Sequence, residues 1–320
     1  MAGDEWLGRL LGEKYRLKSR LESERYGPTY AAIQESTGTW HRILLLQHDP
    51  DGDAEISDVY TGRSAAMSLA HPRIVRMTEV GVQHGQQFVV SDLVEGTNLG
   101  RWLARRHREA ELHIAGWLHD IAGALDSAHE NGIVHLDLQP SSIVIRDRDL
   151  VALVAGFGHR IGALDVRVLG ASDYSAPEQW RHDVALIGPA SDVYMVSAIL
   201  FELVAGQPPF GSGPRAMGGH LDRPVPELRT LRPDLESASD FDRVLAWGLA
   251  KAPSDRPQTV GALVDAFTSA LGIATTPTSG QSQQTARPPE VSTSRVILDP
   301  IVVGGIVIAL AIGVLWFMGR

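Results

Sequence analysis

Residues 131–142 read NGIVHLDLQPSS, and residues 156–158 read GFG. Five other short segments accompany these two along the chain: HPRIV at 71–75, APE at 176–178, SDVY at 191–194, GQPPF at 206–210 and LAKAPSDRP at 249–257. Each segment alone is weak, because short strings recur by chance. Their joint occurrence in one fixed order is a strong signal, and the fold is predicted from it.

In this order the segments resemble those of the bacterial, eukaryotic-like Ser/Thr protein kinases. The resemblance runs from about Glu13 to Leu271, about four-fifths of the chain. It implies an α+β, bilobal protein-kinase-like fold with a β-rich N-lobe and a helical C-lobe. Strands are predicted over 39–46 and 86–90. Apolar residues at helical spacing predict helices around Trp117, around Tyr194 and over 260–271.

Composition narrows the class of partner. The formal net charge is −9 at pH 7, which argues against nucleic acid because phosphate binding needs clustered Lys and Arg. The absence of cysteine excludes disulfides and thiolate catalysis. The histidines show no metal-ligand spacing, so no metal site is predicted. The only lysines are Lys14, Lys18 and Lys251, so none lies where the resembled family keeps two.

Composition separates a packed domain, a polar stretch and an apolar stretch, and the resemblance implies that the packed domain has two lobes; five parts are therefore predicted. They are an N-terminal segment (1–12), the N-lobe (13–96), the C-lobe (97–272), a linker rich in Thr, Ser, Pro and Gln (273–298) and a transmembrane helix (299–318). The linker has almost no large apolar residue, so we expect it to be a flexible tether.

The apolar stretch near the C-terminus predicts a membrane anchor. Ile301 to Met318 are 18 residues without a charge, which span roughly 27 Å as a helix. Arg287 and Arg295 precede it, which favours a cytoplasmic N-terminal domain at the inner face of the cytoplasmic membrane. The small residues Gly305, Ala309 and Gly313 recur on one face and would permit a homodimer through the membrane helix.

Several positions that contact ATP in the family carry other residues here. They are Glu22 and Glu24 beside the one retained loop glycine, Gly27; Leu44 or Leu45 in place of the strand lysine; and Gly62 in place of its glutamate partner. Two extra carboxylates near a triphosphate would repel it by about 1 to 4 kcal/mol per close pair.

In the catalytic loop Asp137, the base of the family, is retained. Leu136 replaces an arginine, Gln139 replaces a lysine, Ser142 replaces an asparagine that binds Mg²⁺, and Gly156 replaces the aspartate that holds the main Mg²⁺. By the resemblance, the family's metal ligands and phosphate-binding lysines are therefore missing.

Other family positions are unchanged, and they are ones that hold the fold. His135 and Phe157 match the regulatory spine, and Asp192 matches the anchor on the central helix. Glu178 and Arg256 match a buried ion pair of the helical lobe.

These observations predict a catalytically inactive, membrane-anchored kinase-like domain. It would need neither ATP nor Mg²⁺ and would act as a scaffold or regulator by binding another protein, such as a membrane complex component or an active kinase. Two alternatives stay open: an unconventional or weak ATP-dependent Ser/Thr kinase, in which Arg25 or Arg42 binds phosphate, and a nucleotide-sensing switch.

Overall fold

The computed structural model describes residues 4–21, 26–46, 63–105, 108–160, 172–235 and 237–272. Within these ranges no helix is both long and apolar enough to cross a bilayer. The predicted linker and membrane helix lie outside the described residues, as do Glu22, Glu24, Arg25, Gly62, Gly305, Ala309 and Gly313. The membrane anchor and its dimer face therefore stay predictions.

Among the described residues, the N-terminal part of the chain forms a six-stranded antiparallel sheet. Its strands are β1 (Leu10–Leu11), β2 (Tyr15–Arg20), β3 (Thr29–Gln34), β4 (Trp40–Leu45), β5 (Met77–Gln83) and β6 (Gln86–Asp92), in the spatial order β1-β2-β3-β4-β6-β5. His84 and Gly85 take positive φ values of 50° and 80°, which lets the chain turn back between β5 and β6 in two residues. The strands predicted at 39–46 and 86–90 are β4 and β6, so that prediction is confirmed.

Alternation along β4 separates two cores, because successive side chains of a strand point to opposite faces. Ile43 and Leu45 are buried in an outer core that also contains Phe88. Leu44 is buried in the main core, which continues into the helical lobe. Arg42 shares the face of Leu44, so its side chain starts toward the space between the two lobes.

The second part of the chain is mainly helical. Its helices are α1 (Leu99–Arg105), α2 (Arg108–Glu130), α3 (Pro177–Trp180), α4 (Pro189–Ala205), α5 (Ala216–Asp222), α6 (Leu228–Leu231), α7 (Ala238–Gly248) and α8 (Val260–Ala270). Short strands complete it: β7 (Gly96–Asn98), β9 (Ile143–Arg146) and β10 (Ala152–Val154) form one sheet, and β8 (Ile133–Val134) pairs with β11 (His159–Arg160). The predicted α+β, two-lobed architecture is confirmed.

Helix α4 is the centre of the helical lobe. Most of its residues are buried, and it begins with Pro189, whose fixed φ and missing N–H suit a first helical turn. It ends at Ala205, and the next residue, Gly206, takes the left-handed conformation (φ 77°) that glycine adopts without strain. The helices predicted around Trp117, Tyr194 and 260–271 are α2, α4 and α8.

A buried ion pair joins α3 to the start of α4 and to the segment before α8. Arg256 Nη1 lies 2.7 Å from Glu178 Oε1 and Nη2 lies 2.8 Å from Oε2, with neither side chain exposed. The remaining guanidinium donors reach the carbonyls of Ala190, Ala250 and Lys251. Ser191 Oγ donates to Glu178 Oε1 at 2.7 Å, so both charges are hydrogen-bonded on several sides.

Arg256→Met should lower the free energy of unfolding by about 3–5 kcal/mol, because it leaves the Glu178 carboxylate buried without its partner. Urea unfolding of the purified protein measures this. Arg243→Met is the matched control, since Arg243 pairs with Asp240 on the surface with 76% of its side chain exposed, and such pairs contribute little. Similar losses in the two variants would contradict the structural role of the buried pair.

Candidate functional site

The candidate site is centred on the loop after β8, residues 135–142, and one buried carboxylate holds this loop to α4. Asp192 Oδ2 accepts from the backbone N of His135 at 2.8 Å, and Oδ1 accepts from the backbone N of Leu136 at 2.9 Å. The ring Nε2 of His129, at the end of α2, lies 2.8 Å from Oδ2. Burial alone would raise the pKa of Asp192, but these donors together lower it below its usual value.

Leu136 has an unusual backbone and an apolar environment. Its φ is +60°, a left-handed conformation that is uncommon for a residue with a branched side chain. Its side chain is buried in a small cluster with Val134 and Ile187. Its carbonyl accepts from Gln179 Nε2 at 2.7 Å, so the loop is also tied to α3.

Asp137, the retained base position, lies within this ordered loop. Its backbone N donates to His135 Nδ1 at 3.3 Å, and its carbonyl accepts from Ser142 Oγ at 3.1 Å. This hydrogen bond from the Ser142 hydroxyl stabilises the conformation of the loop. Gln139, the third changed position of the loop, is partly exposed just before the 3₁₀ turn Pro140–Ser142.

His135 joins the loop to the GFG segment. Its Nε2 lies 2.8 Å from the Ala155 carbonyl and therefore donates, while Nδ1 accepts from Asp137; this is a neutral tautomer, and burial lowers the pKa of the ring. The ring packs edge-on against Phe157, with centroids 4.9 Å apart. Gly156 takes φ +94°, so the chain turns in a conformation that favours glycine where the family has aspartate.

A guanidinium that the sequence analysis did not single out lies in this site. Arg63, in the helical residues 63–66, is 5% exposed, and its Cζ lies 5.2 Å from the centre of the Tyr26 ring. Asp137 and Arg63 are close enough for the carboxylate to act on the pKa of the guanidinium, which burial lowers. A Cβ at Gly158 would come within 2.9 Å of Arg63 Cγ, so the arginine side chain lies directly on that glycine.

Sequence reasoning missed Arg63 because its neighbour Gly62 occupies the family's glutamate position, and Arg63 itself matches no family motif. Of the predicted positions, Asp137, Gly156 and Phe157 lie around this site, with Leu44 in the adjoining core. Gly27 follows Tyr26, with φ +142°. Arg42 is the second cation, and burial together with the charge of Arg63 lowers its pKa to about 10.

Residues 15–268 match the protein kinase domain family. The chain belongs to the bacterial eukaryotic-like Ser/Thr protein kinases. The chain is 30% identical over 280 residues to the Ser/Thr-protein kinase PknH of Mycobacterium bovis, and the match covers 84% of this chain and 46% of PknH. PknE of the same organism is 32% identical over 273 residues, covering 81% and 46%. The chain thus spans less than half the length of these two relatives.

Solved structures agree with this assignment. The kinase domain of Mycobacterium tuberculosis PknI superposes with a TM-score of 0.65 and 26% sequence identity, covering 82% of this chain and 98% of that domain. The resemblance inferred from the order of the short segments is therefore confirmed for the family and for the two-lobed fold.

Membership corrects two predictions. The chain was expected not to be an enzyme and to need neither ATP nor Mg²⁺; both expectations were wrong, because the relatives that share this domain are named Ser/Thr kinases. The error has a physical origin. A family motif describes the residue at each position, whereas a positive charge can also reach the cleft from a neighbouring position, and Arg63 is buried close to Asp137.

Asp192→Ala should lower the free energy of unfolding by at least about 3 kcal/mol, because it leaves two backbone N–H groups and one ring nitrogen without their acceptor in a buried place. Urea unfolding and amide hydrogen exchange at His135 and Leu136 measure the loss. Asp222→Ala is the control, with 81% of its side chain exposed. Unchanged exchange at the two loop amides would contradict the anchoring role of Asp192.

Proposed function

We propose that this protein is an unconventional ATP-dependent Ser/Thr protein kinase in which Asp137 accepts the proton of the substrate hydroxyl. The observation that carries the proposal is the ordered loop around Asp137, fixed by Asp192, Ser142 and Gln179. In this reaction class the protein supplies mainly positioning and charge neutralisation, and a loop that fixes the backbone of Asp137 contributes to the first of these.

We assign a role in the reaction to Asp137 and consider Ser142 and Gly156 as positions for Mg²⁺ ligands. The Asp137 carboxylate would orient the Ser or Thr hydroxyl of a protein substrate and take up its proton as the phosphoryl group transfers. Ser142 and Gly156 stand where the family binds Mg²⁺. The Ser142 hydroxyl donates to the Asp137 carbonyl and Gly156 has no side chain, so neither supplies a carboxylate. The protein's own cations would therefore share in neutralising the phosphoryl charge.

We also propose a location in the membrane and a protein partner. The uncharged stretch 301–318 would anchor the protein in the cytoplasmic membrane with the kinase domain on the cytoplasmic side, and two copies could pair through Gly305, Ala309 and Gly313. The 26 residues of 273–298 would let the domain reach about 25 Å from its anchor. Such tethering raises the effective concentration of a membrane-bound protein partner, whether it is regulated by binding or by phosphorylation.

Asp137→Asn should reduce phosphoryl transfer at least about 100-fold, because the amide cannot accept the substrate proton. Transfer of labelled phosphate from ATP to a Ser/Thr peptide library, and to the protein itself, measures this in the detergent-solubilised full chain. Asp147→Asn is the control, since Asp147 is an exposed aspartate of the same lobe. Equal transfer by Asp137→Asn and wild type, or no transfer by wild type, would contradict the proposed activity.

Deletion of residues 301–320 should move the protein from the membrane pellet to the soluble fraction, because it removes the apolar surface that a bilayer would bury. Fractionation of cells that express the full and the shortened chain measures this. Deletion of 319–320 alone leaves the apolar stretch intact and serves as the control. A shortened chain that still pellets like the full one would contradict the anchor.

A further inference from the structure

Arg63 is a buried cation at the centre of the cleft. Its side chain is 5% exposed, although arginine is almost never buried to this degree without partners that compensate its charge. It reaches the space between the two lobes from the helical residues 63–66. The Tyr26 ring of the N-lobe lies 5.2 Å from its Cζ, and Asp137 and Gly158 of the helical lobe are also close to it.

The contacts of Arg63 leave part of its hydrogen-bonding capacity unused. Its Nε is buried and has no hydrogen-bond partner within the part of the chain that the structure describes. The aliphatic stem lies on Gly158, at which an added Cβ would be 2.9 Å from Arg63 Cγ. The glycine thus allows the guanidinium to lie deep in the cleft. A buried donor without an acceptor is costly, which points to a ligand that supplies one.

The charge balance around Arg63 indicates what kind of ligand this is. Asp137 favours the charged guanidinium, whereas Arg42 is a second cation close enough to Arg63 for the two charges to act on each other. Two guanidinium groups in a partly desolvated space favour an anion with several oxygens. The phosphate chain of a nucleotide has this chemistry, and arginine can bind it with two parallel N–H donors.

We propose that Arg63 is the phosphate-binding cation of this cleft and takes the part that the family gives to the strand lysine. Of the two leucines at that position, Leu44 is in the core that continues into the helical lobe, whereas Leu45 is in the outer core. Arg42, on the same strand face as Leu44, is the second contact. The inference rests on the proposed function, since it takes the nucleotide as the ligand. It deepens that function by naming the residues that replace the missing lysines.

The test is a binding titration of the full chain in detergent, read by thermal shift and by calorimetry, with ATP, ADP, inorganic tripolyphosphate and adenosine as probes. Wild type should bind ATP and tripolyphosphate and should bind adenosine more weakly than either. Arg63→Met should raise the Kd for tripolyphosphate at least tenfold, and Arg63→Lys should restore part of the affinity because it keeps the charge but loses the fork of donors.

Arg76→Met is the matched control, because Arg76 is an N-lobe arginine with 67% of its side chain exposed. It should bind tripolyphosphate like wild type. Gly158→Ala is a second variant that keeps Arg63 but pushes its stem away, and it should also weaken tripolyphosphate binding. The unliganded melting temperature of each variant shows whether it is folded, so lost binding can be told from lost structure.

Two results would overturn the inference: a wild type that binds none of the phosphate probes, or an Arg63→Met variant that binds them as well as or better than wild type. The second result would mean that Arg63 only pairs with Asp137 and blocks the cleft. The failure of the proposed activity gives a different pattern. If the protein transfers no phosphate but binds tripolyphosphate through Arg63, the proposed kinase activity is wrong and the proposed binding site is supported.

Discussion

The carboxylate of Asp192 lies inside the helical lobe with no exposed surface, and its hydrogen bonds come from the ring of His129 and the backbone N–H groups of His135 and Leu136. A buried charge is expensive unless it is hydrogen-bonded on several sides. The donors are provided by the end of α2 and by the loop after β8, so the cost is met only when these segments reach their native places around α4. The position of the Asp137 loop is thus a condition of stable folding. The loop therefore takes this position without a bound ligand.

The same loop is held on its other side by apolar contacts and by neutral hydrogen bonds. Leu136 packs with Val134 and Ile187, and its carbonyl accepts from Gln179. In the resembled family this position carries an arginine, whose contacts depend on a charged partner. Burial of an apolar side chain has no such dependence. The positive φ of Leu136 is therefore maintained by packing and by the anchor of its own N–H on Asp192.

The fold was largely predictable because it depends on buried residues whose type and spacing can be recognised in the sequence. Arg256 satisfies the buried carboxylate of Glu178 with two parallel N–H donors, and the apolar residues of α8 recur at helical spacing on its buried face. Alternation along β4 also placed Arg42 and Leu44 on one face. Arg63 could not be found this way, since its burial depends on how residues 63–66 lie against Tyr26 and Gly158, which are distant in sequence. A motif records which residue stands at a position, and it does not record a charge that reaches the cleft from a neighbouring position.

Phosphoryl transfer makes the location of charge more important than the identity of the residue that supplies it. The transferred group carries its negative charge on several oxygens, and a cation at the right distance stabilises it whether it extends from a strand or from a helix. Leu44 extends the apolar core up to the cleft, which lowers the local polarity beside Arg42 and Arg63. In such surroundings an ionic contact is stronger than in water, but an unpaired cation is also more costly. Under the proposed phosphate site, the leucine at the lysine position and the buried arginine nearby are physically consistent, because the positive charge that the strand lacks would come from Arg63.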